Sequence, residues 1–151
     1  MAASSQVKAY VACWIQLGKA VMCESPGGSE RIQPQSVLSL GSLSQEFHLS
    51  WHRVSLDPWH CHLEGTHESL GQLLSPAWEI GSCSRCGLPI PLPATTATAI
   101  GPCPCFDLKG WPNSTTVPPR IQDEQFLQVA GLRSMHQRLM DRDRMLDKQD
   151  R

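Results

Sequence analysis

Residues 6–17 alternate. In QVKAYVACWIQL, Val7, Ala9, Val11, Cys13, Ile15 and Leu17 interleave with Lys8, Tyr10, Ala12, Trp14 and Gln16. A period of two, with β-branched and aromatic residues, predicts a strand. Gly18-Lys19 then stands where a two-residue turn would go, and Ala20 to Cys23 return as the partner strand. The expectation is an N-terminal β-hairpin with Cys13 and Cys23 as small buried residues on paired strands. SPGGS (25–29) reads as a loop, and Val37, Leu38 and Leu40 as a short strand that Gly41 ends. In EFHLSWHRVSL (46–56), Phe47, Leu49 and Trp51 share one face and His48, Ser50 and His52 the other. That predicts a further strand, broken by Asp57-Pro58. WHCHLEGTHESLGQLL predicts a short strand, a turn at Gly65 and one helical piece with Thr66 as its N-cap. AWEI (77–80) predicts a strand leading into CSRCG, and Leu88 and Ile90 a strand after it.

Beyond Pro118-Pro119 the pattern changes. Leu132, Met135, Leu139 and Leu146 fall on one helical face with Val129 at its edge, in a segment of mixed charge. The expected architecture is therefore mainly β within a small α+β class. A compact domain spans 1–119, with a zinc-ribbon-like element at 77–110, and a C-terminal helix spans 120–151. Asp141-Arg142-Asp143-Arg144 reads as a solvated face, and the apolar stripe as a surface for a protein partner or for self-association.

The chain has 151 residues and a formal net charge of −1. That balance offers no overall attraction to a phosphate backbone. No run of about eighteen apolar residues marks a membrane span. The first residues lack the basic start and cleavage site of a secretory signal. A cytoplasmic setting follows as the expectation. There, clustered cysteines are more often metal ligands or redox groups than structural disulfides. Seven cysteines also fit a closed disulfide framework poorly.

Four of the seven lie in two tight pairs, Cys83-Ser84-Arg85-Cys86-Gly87 and Cys103-Pro104-Cys105. A Cys-x-x-Cys turn closed by glycine lets two sulfurs converge under backbone N–H groups. It resembles the knuckle of zinc ribbons and rubredoxins. The second pair has one intervening residue, which on an extended strand would send its sulfurs to opposite faces. Both reach one metal only if the chain bends, and Gly101, Pro102 and Pro104 favour a bend. The expected site is structural Zn2+ held by Cys83, Cys86, Cys103 and Cys105. Unliganded thiols, a redox disulfide and an iron–sulfur cluster are the alternatives. LPIPLP after Cys86 forbids the helix that a thioredoxin-like dithiol opens, and the spacing matches neither common ferredoxin run.

His60, Cys61, His62, Glu64 and His67 gather further potential ligands, with His48 and His52 nearby in sequence. A polar strand face explains them without a metal. Whether Cys61, His60 or His62 joins a metal site is open from sequence. No phosphate loop, nucleophile elbow or His-Glu-x-x-His helix is present, so no catalytic residue is assigned and the chain reads as a non-enzyme. The expected function is a zinc-binding protein-interaction module. One alternative is a nucleic-acid-associated ribbon, against which stands the supply of only Arg85 and Lys109 as cations across 77–119. The other is a thiol–disulfide redox protein.

The stretch CHLEGTHESLGQLLSPAWEIGSCSRCGLPIPLP, continued by GPCPCFDLKGWPN and PPR, resembles a small cysteine-containing cyanobacterial protein family of uncharacterised function. The likeness covers about residues 61–120 and, more weakly, YVACWIQLGKAV; the terminal helix lies outside it. It implies a cyanobacterial cytosolic or thylakoid-associated setting and adds no catalytic residue.

Overall fold

The structure is a computed structural model, and it describes residues 2–95 and 102–108. The expected C-terminal helix and the boundary at 119 lie outside the described residues. Within them the fold is a small α+β arrangement, with more helix than the alternation implies.

The chain opens with a helix, not a hairpin. α1 spans Ser4–Gln16. Val7, Tyr10, Val11 and Trp14 fall at i, i+3, i+4 and i+7, the stripe of a helix facing a core. The helix is buried on nearly every side, with Val7, Ala12, Cys13 and Trp14 wholly inaccessible. All-round burial removes the polar face that would have marked the 3.6-residue period, so small residues filled a false period of two. Ala9 and Ala12, and the absence of Gly or Pro before Gly18, also favour helix. Gly18 is its stop. It has φ +92°, its N–H donates to Ile15 O at 3.0 Å, and the Lys19 N–H donates to Trp14 O at 3.1 Å. That paired closure around a left-handed residue is the Schellman motif. At the other end the Ala3 N–H donates to Gln6 Oε1 at 2.9 Å.

The hairpin lies one element later. β1 (Val21–Ser25) pairs antiparallel with β2 (Gly28–Ile32), and SPGGS supplies the turn between them. β1 also pairs antiparallel with β5 (Cys61–Leu63), so the sheet order is β2-β1-β5. β3 (Leu38–Ser39) and β4 (Ser42–Leu43) form a miniature hairpin about Leu40-Gly41.

Residues 46–56 are likewise helical. α2 spans Gln45–Leu56, and its N-cap Ser44 accepts from the Phe47 N–H at 3.0 Å. Phe47 and Val54, seven apart, are buried, with Trp51 packed between them. Leu49, which a strand would have placed beside Phe47, is 64% exposed. Phe47 and Trp51 satisfy a helical and an alternating pattern alike, and the Ser44 cap decides for helix. Asp57-Pro58 ends α2 as expected, and a 3₁₀ turn at Pro58–His60 leads into β5.

After the turn at Gly65 comes α3 (Leu70–Leu73). Its N-cap is Ser69, not Thr66: the Ser69 hydroxyl accepts from the Gln72 N–H and Gln72 Oε1 accepts from the Ser69 N–H. Thr66 instead donates its hydroxyl to Leu63 O at 2.7 Å, stabilising the turn. β6 (Trp78–Ser82) and β7 (Pro89–Pro93) are the expected strands on either side of the first cysteine knuckle, and they pair antiparallel. α1 seats this hairpin: the Ala2 N–H donates to Trp78 O at 3.1 Å, and buried Trp14 Nε1 donates to Pro89 O at 2.7 Å.

Candidate metal centre

The first limb of the site grows from the β6–β7 hairpin. The Cys83 N–H donates to Leu88 O at 2.9 Å and the Gly87 N–H to Cys83 O at 2.8 Å, closing a tight turn. Gly87 carries φ +73°, a conformation that a Cβ would penalise. Inside this turn the Arg85 N–H points at Cys83 Sγ, 3.4 Å away. The expected convergence of backbone donors on sulfur is present.

The second limb supplies the bend that one intervening residue demands. A single 3₁₀ turn runs Pro104–Asp107, with Pro104 at its first position and Cys103 as its N-cap. The Cys105 N–H donates to Cys103 Sγ at 3.4 Å. Sulfurs that would diverge on a strand thereby face the same way.

The two limbs meet. Cys83, Cys86, Cys103 and Cys105 present four sulfurs all within 4.8 Å of one another, and Cys86 Sγ lies 3.8 Å from Cys103 Sγ. Zn–S bonds of about 2.3 Å in a regular tetrahedron set the sulfurs about 3.8 Å apart. The observed spacing fits one ion. A cluster of several irons would sit between its cysteines and spread them further. Cys83 and Cys105 are buried, and Cys86 and Cys103 half-buried, so the site has a protected floor and a rim open to solvent.

The sulfurs differ electrostatically. Burial raises the Cys83 thiol, but hydrogen bonds from the backbone of Cys86 and Arg85, with the thiols of Cys103 and Cys86, outweigh it and bring it down to about 7. Burial dominates at Cys86 and pushes it up to about 12. Cys103 is also raised, again chiefly by burial. Without a metal, the surroundings therefore favour a proton on Cys86 and Cys103 and ease its loss from Cys83. A divalent cation would replace the protons on Cys86 and Cys103, because thiolates are the ligands.

The remaining cysteines are elsewhere. Cys13 is fully buried in α1, as expected of a small core residue, and is no member of the tetrad. Burial, and secondarily the charge of Cys86, hold its thiol well above the usual range. Cys23 departs from expectation: it lies on β1 opposite Cys61 of β5, and the two form a disulfide with Cα atoms 4.1 Å apart. The Ala20–Glu64 backbone bond makes Cys23–Cys61 a non-hydrogen-bonded pair, where facing side chains come closest. An odd total left room for one disulfide beside five free thiols. The pairing itself was not legible, since it depends on β1 and β5 being neighbours.

That disulfide also answers the question raised by the His/Cys/Glu segment. Cys61 is committed to Cys23 and does not join the tetrad. His60 Nδ1 pairs with exposed Asp57 at 2.9 Å, and His62 lies opposite Met22 on the sheet. Among the described residues the tetrad is the one cluster with ligand geometry, and none of their helices is long and apolar enough to cross a membrane. No protein-family model matches the chain, and comparisons with curated proteins and with solved structures return no similar protein.

Proposed function

We propose that this chain is a non-enzymatic zinc-binding module whose metal is structural and whose role is to present a protein-interaction surface. The observation that carries the reading is the single-ion spacing of four sulfurs contributed by two limbs, one of them proline-rich and short of regular structure. Four metal–thiolate bonds supply folding energy that such a limb lacks. The segments flanking the knuckles present exposed groups to a partner: Phe106, next to Cys105, is 74% exposed. The reading is tested by elemental analysis of untagged protein together with a thiol count. One zinc per chain, lost in Cys83→Ser and Cys103→Ser but kept in Cys13→Ser, is the expected outcome. Equal loss in all three would remove the assignment of ligands.

One observation favours a second reading. Cys86 Sγ and Cys103 Sγ are close enough to bond on oxidation, and Cys83 is poised near neutral pH as a nucleophile. A metal-free protein with two thiols that react fast at pH 7 and cycle with a disulfide would make the tetrad a thiol–disulfide redox centre.

A further inference from the structure

Lys19 is the buried cation of the described fold. Its side chain is 7% exposed, whereas that of its partner Asp107 is 64% exposed; Lys19 Nζ lies 3.3 Å from Asp107 Oδ2. The pair spans 88 positions of sequence. Lys19 follows the Gly18 stop of α1 and opens the path to β1. Asp107 stands two residues beyond Cys105, in the same 3₁₀ turn.

Burying a lysine is costly unless its charge is met, so the position calls for a reason. The turn Pro104–Asp107 gives one. Its own hydrogen bonds are internal: Cys105 N–H to Cys103 Sγ, Phe106 N–H to Cys103 O, and Leu108 N–H to Cys105 O. Outside the sulfur cluster, Lys19–Asp107 is a hydrogen-bonded link between 102–108 and the rest of the described chain. The pair closes over Gly65. A Cβ there would stand 3.0 Å from Asp107 Oδ2 and 3.2 Å from Lys19 Nζ, and Gly65 has φ +85°. A bare Cα thus gives the bridge its floor. Glu64 fixes that floor to the sheet, because its N–H donates to Ala20 O and its carboxylate accepts from the Ala20 N–H.

We propose that Lys19 is a positioning residue of the metal centre: through Asp107 it holds the Cys103–Cys105 limb against the Cys83–Cys86 knuckle and so sets metal affinity without touching the metal. The proposal rests on the metal-binding reading above. A limb that must be ordered as the metal binds weakens binding, and pre-ordering it recovers affinity. Groups that orient ligands from outside the coordination sphere typically change metal affinity 10–100-fold.

The two halves of the bridge respond differently, which separates positioning from plain stability. Lys19→Met removes a buried charge, keeps an unbranched apolar stem, and leaves Asp107 solvated. Asp107→Asn leaves a buried ammonium without its carboxylate. If the bridge positions the limb, both lower zinc affinity by about tenfold or more, and the double variant is no weaker than the worse single. Global stability of the metal-free protein falls further in Asp107→Asn than in Lys19→Met. Lys19→Arg, which keeps the charge, recovers part of the affinity.

The experiment is competition of full-length protein with a chromophoric chelator for zinc. Cobalt(II) substitution follows the thiolate-to-metal absorption band of the same variants. Wild-type binding with weakened Lys19→Met and a shifted cobalt band supports the proposal. Wild-type binding with Lys19→Met as tight as wild type overturns it and leaves the metal reading standing. Failure of the wild type to bind any metal overturns both. Should Asp107→Asn fail to fold, the Lys19→Met and Lys19→Arg pair still decides.

Discussion

Opening the Cys23–Cys61 bond tests the sheet and the unfolded chain together. The bond closes a loop of 38 positions. The chain-entropy relation for a loop of that length gives about 4 kcal/mol at 25 °C, by restricting the unfolded chain. Apart from the bond, a short ladder of three residue pairs and the Glu64–Ala20 hydrogen bonds tie β5 to β1. β5 has three residues and is an edge strand of the sheet order β2-β1-β5, with a single bridge from His62 to Ser69 on its outer side. With a urea slope of roughly 1.5 kcal/mol per molar, reduction should lower the unfolding midpoint by roughly 2–3 M. The assay is urea unfolding of the metal-loaded protein with and without a phosphine reductant, each sample checked by intact mass after alkylation in denaturant. Six or seven alkylated thiols in the unreduced sample would show that the pairing is absent. A bond that is present and then opened, with an unmoved midpoint, would refute the entropic argument.

Three further outcomes rest on a buried hydrogen bond, a backbone conformation and the cysteine protons. Trp14→Phe leaves Pro89 O without its buried donor and should cost about 1–3 kcal/mol by thermal or urea unfolding; because Pro89 borders the first knuckle, zinc affinity should fall with it. Leu40→Asn should gain about 1 kcal/mol, since fully exposed Leu40 holds φ 51° beside Gly41 at φ 83° in a two-residue hairpin turn that favours Asn-Gly; an unchanged melting temperature would count against the strain. The pH response should reverse with metal. Metal-free, Cys13, Cys86 and Cys103 keep protons in the folded state that the unfolded chain releases above about pH 8.5, so stability falls as pH rises from there towards the raised folded values. Cys83 runs the other way, and its contribution is lost as pH falls through about 7. Metal-loaded, the ligands Cys83, Cys86, Cys103 and Cys105 would be thiolates and stability would fall as pH drops, while Cys13 keeps its proton; urea midpoints from pH 6 to 10 in both forms read the crossing.

The sequence is most informative where chemistry constrains spacing. The two cysteine pairs, the need for a bend at Pro104, and the strands around the first knuckle all follow from the fixed reach of sulfur and the backbone limits of Gly and Pro. Helices were misread where burial erased the period. α1 is surrounded, so its pattern has no polar face to anchor a count, and Gly18 serves a helix stop as readily as a hairpin turn. In α2 the residues Phe47 and Trp51 suit either period, and only Ser44 as N-cap separates them. Long-range partners were out of reach for a different reason. Cys23 with Cys61, and Lys19 with Asp107, join segments whose adjacency is set by the packing of α1, β1 and β5 as a whole.

The chain carries two sulfur systems with opposite redox needs, and that opposition sharpens the metal argument. Cys23–Cys61 is oxidised. The tetrad must stay reduced to bind an ion, yet Cys86 Sγ and Cys103 Sγ stand 3.8 Å apart, one small movement from a bond of about 2.05 Å. An empty tetrad exposed to the oxidant that forms the first disulfide would lose two of its ligands. Coordination would prevent this, because a thiolate bound to a metal ion is no longer free to attack its neighbour. Metal occupancy and the Cys23–Cys61 bond should therefore be found together in protein isolated without reductant. Stripping the metal under air should convert a second pair of thiols to disulfide, with Cys86 and Cys103 as the pair found by peptide mapping. Survival of all five free thiols in the stripped protein would show that the fold alone keeps the sulfurs apart, and the protective role of the metal would be withdrawn.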